Sequence, residues 1–516
     1  MKKKTWNIFS LIILILLVAA EALFCHQVLQ LDMLPAKYNT AFIVILGVIA
    51  LLLGLMMLRR KKNLHKVTGR IRQIIGYLLS LVMIAGSLLG FYALSKVNNV
   101  IDSVTETPEI SAIVDVYVMK EDPAQTIQDA KDYTFAVTES YDWENTQLAI
   151  AAVEEELDSK LNIVSYGTVF EMIDALYHGD AGALFLNSAY LDILEELELY
   201  ADYSEKTRII YEYNVLKPVE PETEPTLPPE TTQPNAPTPG VQATEPTEPE
   251  GMAPFIVYLS GSDTRSKVLR TSRSDVNILA VVNPQTHQIL LLNTPRDYYI
   301  ANPSMGNKLD KLTHCGVYGI DCSITALENL YGIDIASYAQ INFTGFETLI
   351  DAIGGVTVYS DYSFTTLHGK HSIVKGYNDL NGSEALGFAR ERYALPGGDR
   401  DRGKNQMKII TAVIEKLASG TILTRYAEIL DSMKNMFVTN MSQESISELV
   451  KMQIEDMSGW NIQSYAVTGK GGSDITCSMP GMKVYVMYPS ESSVAKASEL
   501  INRVLQGDIL TAEDLK

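Results

Sequence analysis

The chain has 516 residues, more than one ordinary hydrophobic core supports, so two or more domains are expected. Its 42 Lys and Arg against 62 Asp and Glu give a formal charge of -20. That balance excludes nucleic acid as the main partner, because such a binder needs a basic face from which counterions are released. Four cysteines are too few for a disulfide scaffold. Cys25 falls in an apolar run. Cys315, Cys322 and Cys477 leave room for one pair and one odd thiol, with Cys322–Cys477 the favoured pairing.

Residues 8–29, 41–58 and 74–94 are three nearly continuous apolar runs. Each is close to the roughly 20 residues that cross a bilayer as a helix. Lys2, Lys3 and Lys4 precede the first run, and the loop after it holds only Lys37. The next loop holds Arg59, Arg60, Lys61, Lys62, Lys66, Arg70 and Arg72. By the positive-inside rule the N-terminus and this second loop are cytoplasmic, and everything beyond about residue 94 is extracellular. The expectation is a cell-membrane protein with three spans (residues 1–94), with Glu21 facing another helix rather than lipid.

Residues 95–215 read as an extracytoplasmic accessory α/β module. It begins with a polar tether at 95–109. Strands are expected at 112–119, 133–140, 182–187 and 207–215, and helices at 144–161 and 168–178. No cluster in it carries recognisable chemistry, which favours a spacer or interaction role. Residues 216–252 are rich in Pro, Thr and Glu with almost no large apolar side chain, the composition of an extended, solvated linker. Residues 253–508 interleave strands (255–261, 276–284, 287–297, 356–360, 465–469, 483–489) with helices (322–330, 343–353, 383–389, 406–419, 442–456, 492–505). That order predicts a sheet covered on both faces. Residues 509–516 form a short tail. The fold class expected is α/β: three N-terminal transmembrane helices, a small accessory module, and a C-terminal α-β-α sandwich with a central mixed sheet.

The chemistry-bearing residues fall in two bursts. The first reads G-S-D-T-R at Gly261–Arg265, R-S-D at Arg273–Asp275 and N-T-P-R-D at Asn293–Asp297. The second reads F-A-R-E-R at Phe388–Arg392 and G-D-R-D-R-G-K-N-Q at Gly398–Gln406. Carboxylates suit a hard divalent cation, and guanidinium forks suit phosphate oxygens. Asp263 and Asp275 sit at neighbouring strand ends, where turn capping is the competing role. Arg296 and Asp297 also read as a local salt bridge. Arg390 and Arg392 share a face only where the chain is extended. Asp399 is placed to cap the helix that follows, and Arg402 and Gln406, four apart, share one face of it. Lys311 and His314 in D-K-L-T-H are weaker candidates, with His314 read as an ordinary hydrogen-bonded histidine.

In this order of motifs, residues 254–505 resemble the LytR–CpsA–Psr family of bacterial envelope phosphotransferases. The resemblance implies a sheet flanked by helices, with a greasy groove for a polyprenyl chain. It implies Mg²⁺ on Asp263 and Asp275. It implies a lipid pyrophosphate gripped by Arg273, Arg296, Arg390, Arg392, Arg402 and Gln406, with Arg273, Arg296, Asp399 and Arg402 at the chemistry. The reaction implied is transfer of a phospho-linked glycopolymer from an undecaprenyl diphosphate carrier to a peptidoglycan hydroxyl. Asp275 and Asp399 are the candidates for a general base. A non-enzymatic sensor of lipid-linked glycans and a lipid pyrophosphate hydrolase are the competing readings. Three spans and the accessory module depart from the simplest one-span members.

Overall fold

A computed structural model describes residues 2–57, 66–105, 109–194, 197–218, 252–262, 271–419, 429, 432–433 and 436–516. The expected linker therefore lies almost wholly outside the described residues, as do Asp263 and the Arg59–Lys62 part of the basic loop.

Three helices open the chain: α1 (Lys2–Leu31), α2 (Ala36–Met57) and α3 (Lys66–Thr105). Each contains a stretch long and apolar enough to cross a bilayer: Ile8–Leu31, Ala36–Met57 and Ile71–Lys96. Leu, Ile and Val point outward along all three, while Leu17, Leu53 and Met57 fill the seam between them. Glu21 is buried in the bundle rather than directed outward, as its solvation cost requires. Helix α3 does not stop with its apolar stretch. The first part of the expected polar tether continues it to Thr105, because residues 95–105 contain neither Gly nor Pro to break it.

The accessory module runs β1 (Glu109–Met119), β2 (Thr134–Thr138), α4 (Trp143–Leu157), β3 (Asn162–Tyr166), α5 (Val169–His178), β4 (Ala183–Asn187) and β5 (Thr207–Pro218). Its sheet order is β3-β2-β4-β1-β5. The helix expected to reach residue 161 ends at Leu157, where Asp158 turns left-handed (φ 47°) and bonds back to the Glu154 and Glu155 carbonyls. The residues after 161 then form β3, a strand that the sequence reading did not expect.

The C-terminal domain is an α-β-α sandwich. Its strands are β6 (Phe255–Ser262), β7 (Ser274–Asn283), β8 (Gln288–Asn293), β9 (Ser337–Asn342), β10 (Phe437–Thr439) and β11 (Asn461–Ala466). They form one mixed sheet in the order β10-β9-β6-β7-β8-β11. The β6-β7 and β7-β8 pairs are antiparallel, and β9-β6 and β11-β8 are parallel. A hairpin of β12 (Gly469–Thr476) and β13 (Met479–Pro489) stands beside the sheet. The helices are α6 (Ile320–Tyr331), α7 (Phe343–Ala352), α8 (Gly382–Arg390), α9 (Asp399–Leu417), α10 (Gln443–Asp456) and α11 (Glu491–Leu505).

Alternation along the strands divides the core. Tyr258, Leu279 and Leu290 join Leu327 of α6 and Leu500 of α11 on one face. Val257, Ile278 and Leu291 meet Met407 and Ile410 of α9 on the other. Residues 509–516 are not a loose tail: Leu510 is buried in the first of these cores, and its amide donates to Gln288 at 3.0 Å.

The cysteines are free thiols, so the expected Cys322–Cys477 pairing is not formed. The Cys322 thiol donates to Asn302 at 3.2 Å and the Cys477 thiol to Asp310 at 3.0 Å. The membrane-type bundle abuts the sandwich. Helix α3 packs against β10 and α10, and Lys451 of α10 reaches Asp32 at 2.5 Å.

Candidate functional site

A cavity of about 1310 Å³ lies between α9 and the β7-β6-β9 part of the sheet. Arg273, Asp275, Arg296, Arg390, Arg392, Arg402 and Gln406 all line it. Asp399 does not, but it pairs with Arg402 at 2.5 Å. The cavity has two ends. Along α9 its lining changes from Arg402 and Gln406 to Ile410, Val413 and Leu417. Fifteen residues of helical rise separate the first from the last, roughly 22 Å. Along β6 the same change runs from Ser262 back to Leu259 and Val257. Phe437, Met441 and Leu449, next to the α3 contact, belong to the apolar end.

Backbone geometry explains the convergence. Register sets Ser262 at the end of β6 opposite Ser274 at the start of β7, so Arg273 and Asp275 flank the sheet edge where β6 stops. Beyond β8, the Thr294 amide donates to the Asn277 carbonyl at 2.9 Å, and the Pro295 turn delivers Arg296 to the same edge. Arg296 then pairs with Asp275 at 2.8 Å, whereas the expected local pair with Asp297 is only a 3.9 Å contact. The Thr313 hydroxyl donates to the same Asp275 oxygen at 3.3 Å.

The second burst is arranged by its acidic members. Helix α8 ends at Arg390, and Glu391 is extended (φ -67°, ψ 130°), so Arg390 and Arg392 share a side as the alternation requires. Glu391 points the other way. Its buried carboxylate accepts the amides of Leu367 at 2.6 Å and Ala394 at 2.9 Å. Burial opposes its ionisation, but these backbone donors outweigh it and hold the carboxyl below its usual range. Arg390 lies 4.2 Å from the Phe343 ring centre. Gly398, with φ +54°, occupies the N-cap of α9, so Asp399 is the first helical residue and not the cap. Gly403 lets α9 approach the sheet: a Cβ there would strike the Asn293 amide group.

Six cations, Arg273, Arg296, Lys311, Arg390, Arg392 and Arg402, are thus set among the carboxylates of Asp275, Asp297 and Asp399. The cluster is net positive in a chain that is strongly negative overall. Burial works against a charged Asp275, but Arg296, Arg402 and Arg273 overcome it and hold its carboxyl well below the usual carboxylate range. A carboxylate that stays ionised so readily is a poor proton acceptor at neutral pH, which disfavours Asp275 as the general base.

The depressed value makes a linkage prediction. Asp275 stabilises the fold fully above its unfolded value of about 4 and loses that contribution as pH falls through its lower folded value. Asp275→Asn is therefore expected to cost about 1–3 kcal/mol at pH 7 and to show a flatter acid limb. Chemical denaturation of both proteins between pH 7 and pH 2 checks this.

His314 is fully buried and its Nδ1 lies 2.7 Å from Asp310, the ordinary role expected of it. Lys311 instead lines the cavity, 3.7 Å from Asp297. Tyr485, Lys483 and Phe343 also line it and were not singled out from sequence. The first two lie on alternate positions of a strand whose partners only folding reveals. Among the described residues no three His, Cys, Asp or Glu side chains converge on a metal. Asp275 still fits Mg²⁺, which takes one or two carboxylates and completes its shell with substrate phosphate and water. It is ionised, it lines the cavity and it offers hard oxygen.

The LytR_cpsA_psr family profile matches residues 229–499. A polyisoprenyl-teichoic acid–peptidoglycan teichoic acid transferase TagU from Bacillus cereus is 35% identical over 199 residues, 38% of this chain and 64% of that protein. The protein of the same name from Oceanobacillus iheyensis is 35% identical over 201 residues, 38% of this chain and 61% of its own length. The crystal structure of Bacillus subtilis TagV superposes with a TM-score of 0.42 at 23% identity, covering 49% of this chain and 98% of that one. The chain thus matches a little under two thirds of the length of these curated relatives.

Proposed function

The chain belongs to the LytR–CpsA–Psr family, and from that premise we propose that it transfers a phospho-linked glycopolymer from a polyprenyl diphosphate carrier to a peptidoglycan hydroxyl outside the cell. One observation carries the reading: a single cavity joins a guanidinium cluster to a long apolar wall that ends beside the membrane-type helices. Few ligands need both. A polyprenyl tail is expelled from water and gains by entering the apolar end. Its diphosphate then meets the arginines. The relatives' name, a teichoic acid transferase, specifies a cargo and acceptor of the same class.

In this reading Arg390 and Arg392 bind the diphosphate oxygens, while Arg273, Arg296 and Arg402 stabilise charge developing on the bridging oxygen. Asp399 orients Arg402, and Asp275 orients Arg296. The acceptor hydroxyl forms a bond to the phosphorus carrying the glycan, the bond to the bridging oxygen breaks, and prenyl monophosphate leaves, the hydroxyl proton passing in the balance to that phosphate or to water. Asp275, with Asp263, would hold Mg²⁺, which when bound supplies positive charge to the phosphate oxygens. The polarity of the basic loops orients the catalytic domain outward.

The test uses the purified full chain with lipid-linked glycan, Mg²⁺ and peptidoglycan. Glycan covalently joined to peptidoglycan is expected, with a loss of at least about tenfold when EDTA removes the metal. Free glycan phosphate would instead identify a hydrolase. Bound but intact lipid would identify a sensor.

A further inference from the structure

The accessory module is not merely tethered to the catalytic domain. Its buried Tyr190, Ile193, Leu194 and Leu197 form one core with Val317 and Met479 of the sandwich side. The Tyr190 hydroxyl donates to the Ser478 carbonyl, and the Tyr141 and Tyr318 rings meet edge-on at 5.5 Å. Buried apolar packing of this kind, sealed by a buried hydrogen bond, fixes the module's position.

That position has a consequence at the cavity. Leu197 and Glu198 of the module line it together with Lys483 and Tyr485 of β13. Leu197 belongs to the buried cluster against which Met482 and Val484 of β13 pack, and Glu198 beside it lines the same cavity as Lys483 and Tyr485. These last two lie on one side of β13, two residues apart. They are at the guanidinium end: the Met487 amide of the same strand donates to the Asp297 carbonyl at 2.7 Å, and burial, helped by the carboxylates of Asp297 and Asp399, pushes the Tyr485 phenol up. The apolar arm leads the other way. The side chains that line the cavity with the guanidinium cluster, away from the apolar arm, thus include Glu198, Lys483 and Tyr485. A carboxylate, an ammonium group and a half-exposed phenol ring are complementary to the hydroxyls and ring face of a sugar.

We propose that the accessory module completes a carbohydrate subsite, in which Glu198 with Lys483 and Tyr485 holds the sugar next to the reacting phosphate. The proposal rests on the transferase reading above. The shared chemistry is a sugar ring, supplied either by the donor glycan or by the peptidoglycan acceptor.

The experiment compares full-length wild type with Glu198→Ala and Tyr485→Ala in lipid nanodiscs, after thermal melts show that each variant folds. Affinity is measured for bare undecaprenyl diphosphate and for the same lipid carrying a disaccharide, and the rate is measured against peptidoglycan concentration. Binding of the bare lipid is expected to be unchanged. A loss of about tenfold is expected either in affinity for the glycosylated lipid, which assigns the donor sugar, or in apparent KM for peptidoglycan, which assigns the acceptor. If neither moves while bare lipid still binds wild type, the subsite is refuted and the transferase reading survives. If wild type binds no prenyl diphosphate at all, the transferase reading falls and takes the subsite with it.

Discussion

Arg402→Ala is expected to lower transfer by at least about a hundredfold, the scale seen when a preorganised donor to developing charge is removed. Arg402 is buried at the start of α9, bonded to Asp399, and its charge is one of three that hold Asp275 ionised. Truncation leaves Asp399 without that partner, so some stability is lost as well, about 1–3 kcal/mol. Arg390→Ala separates the two effects. That guanidinium lies against the Phe343 ring at the cavity wall and should cost turnover with little change in melting temperature. Rates and thermal melts on both variants decide the matter: an Arg390→Ala protein that melts normally and transfers at the wild-type rate would remove that residue from the site. Arg402→Lys should not restore activity, because a single ammonium cannot reproduce the fork that serves a carboxylate and a phosphate together.

Much of this site was legible because its chemistry is concentrated in short motifs next to strand ends. The alternation of β6, β7 and β8 was readable, and so was the polarity change that follows each. The four-residue spacing of Arg402 and Gln406 placed both on one face of α9, and both line the cavity. What escaped was tertiary. Glu391 sits between two expected ligands and reads as one more charge, yet it is buried and pins the loop through backbone amides. Nothing local distinguishes it from a solvated carboxylate. Asp297 looked like the natural partner of Arg296 because it is adjacent, but the Pro295 turn aims the guanidinium back to Asp275 across the sheet edge. Helix α4 stopped short of its apolar pattern because Asp158 adopts a left-handed conformation, a state that Asp tolerates but does not announce. The contribution of the accessory module to the cavity depends on a docking surface built from Tyr190, Val317 and Met479, residues far apart in the chain.

The second large effect concerns the lipid. Ala339 lies on β9 and lines the apolar part of the cavity, packed with the residues under α9. Ala339→Trp would place a bulky ring where the proposed prenyl chain runs, without touching a charged group. Turnover of a long-chain prenyl diphosphate donor is expected to fall about a hundredfold, because the tail must then leave part of its length in water, at about 0.8 kcal/mol for each exposed methylene. A donor with a chain short enough to stop before β9 keeps its diphosphate on the arginines and should lose less than about threefold, within the scatter of neutral substitutions. The comparison is internal, since both donors present the same reacting phosphate to the same side chains. Equal losses would mean that the ring disturbs the fold or the guanidinium end. No loss with either donor would mean that the tail does not occupy this cavity, and the apolar wall beside α3 would need another explanation.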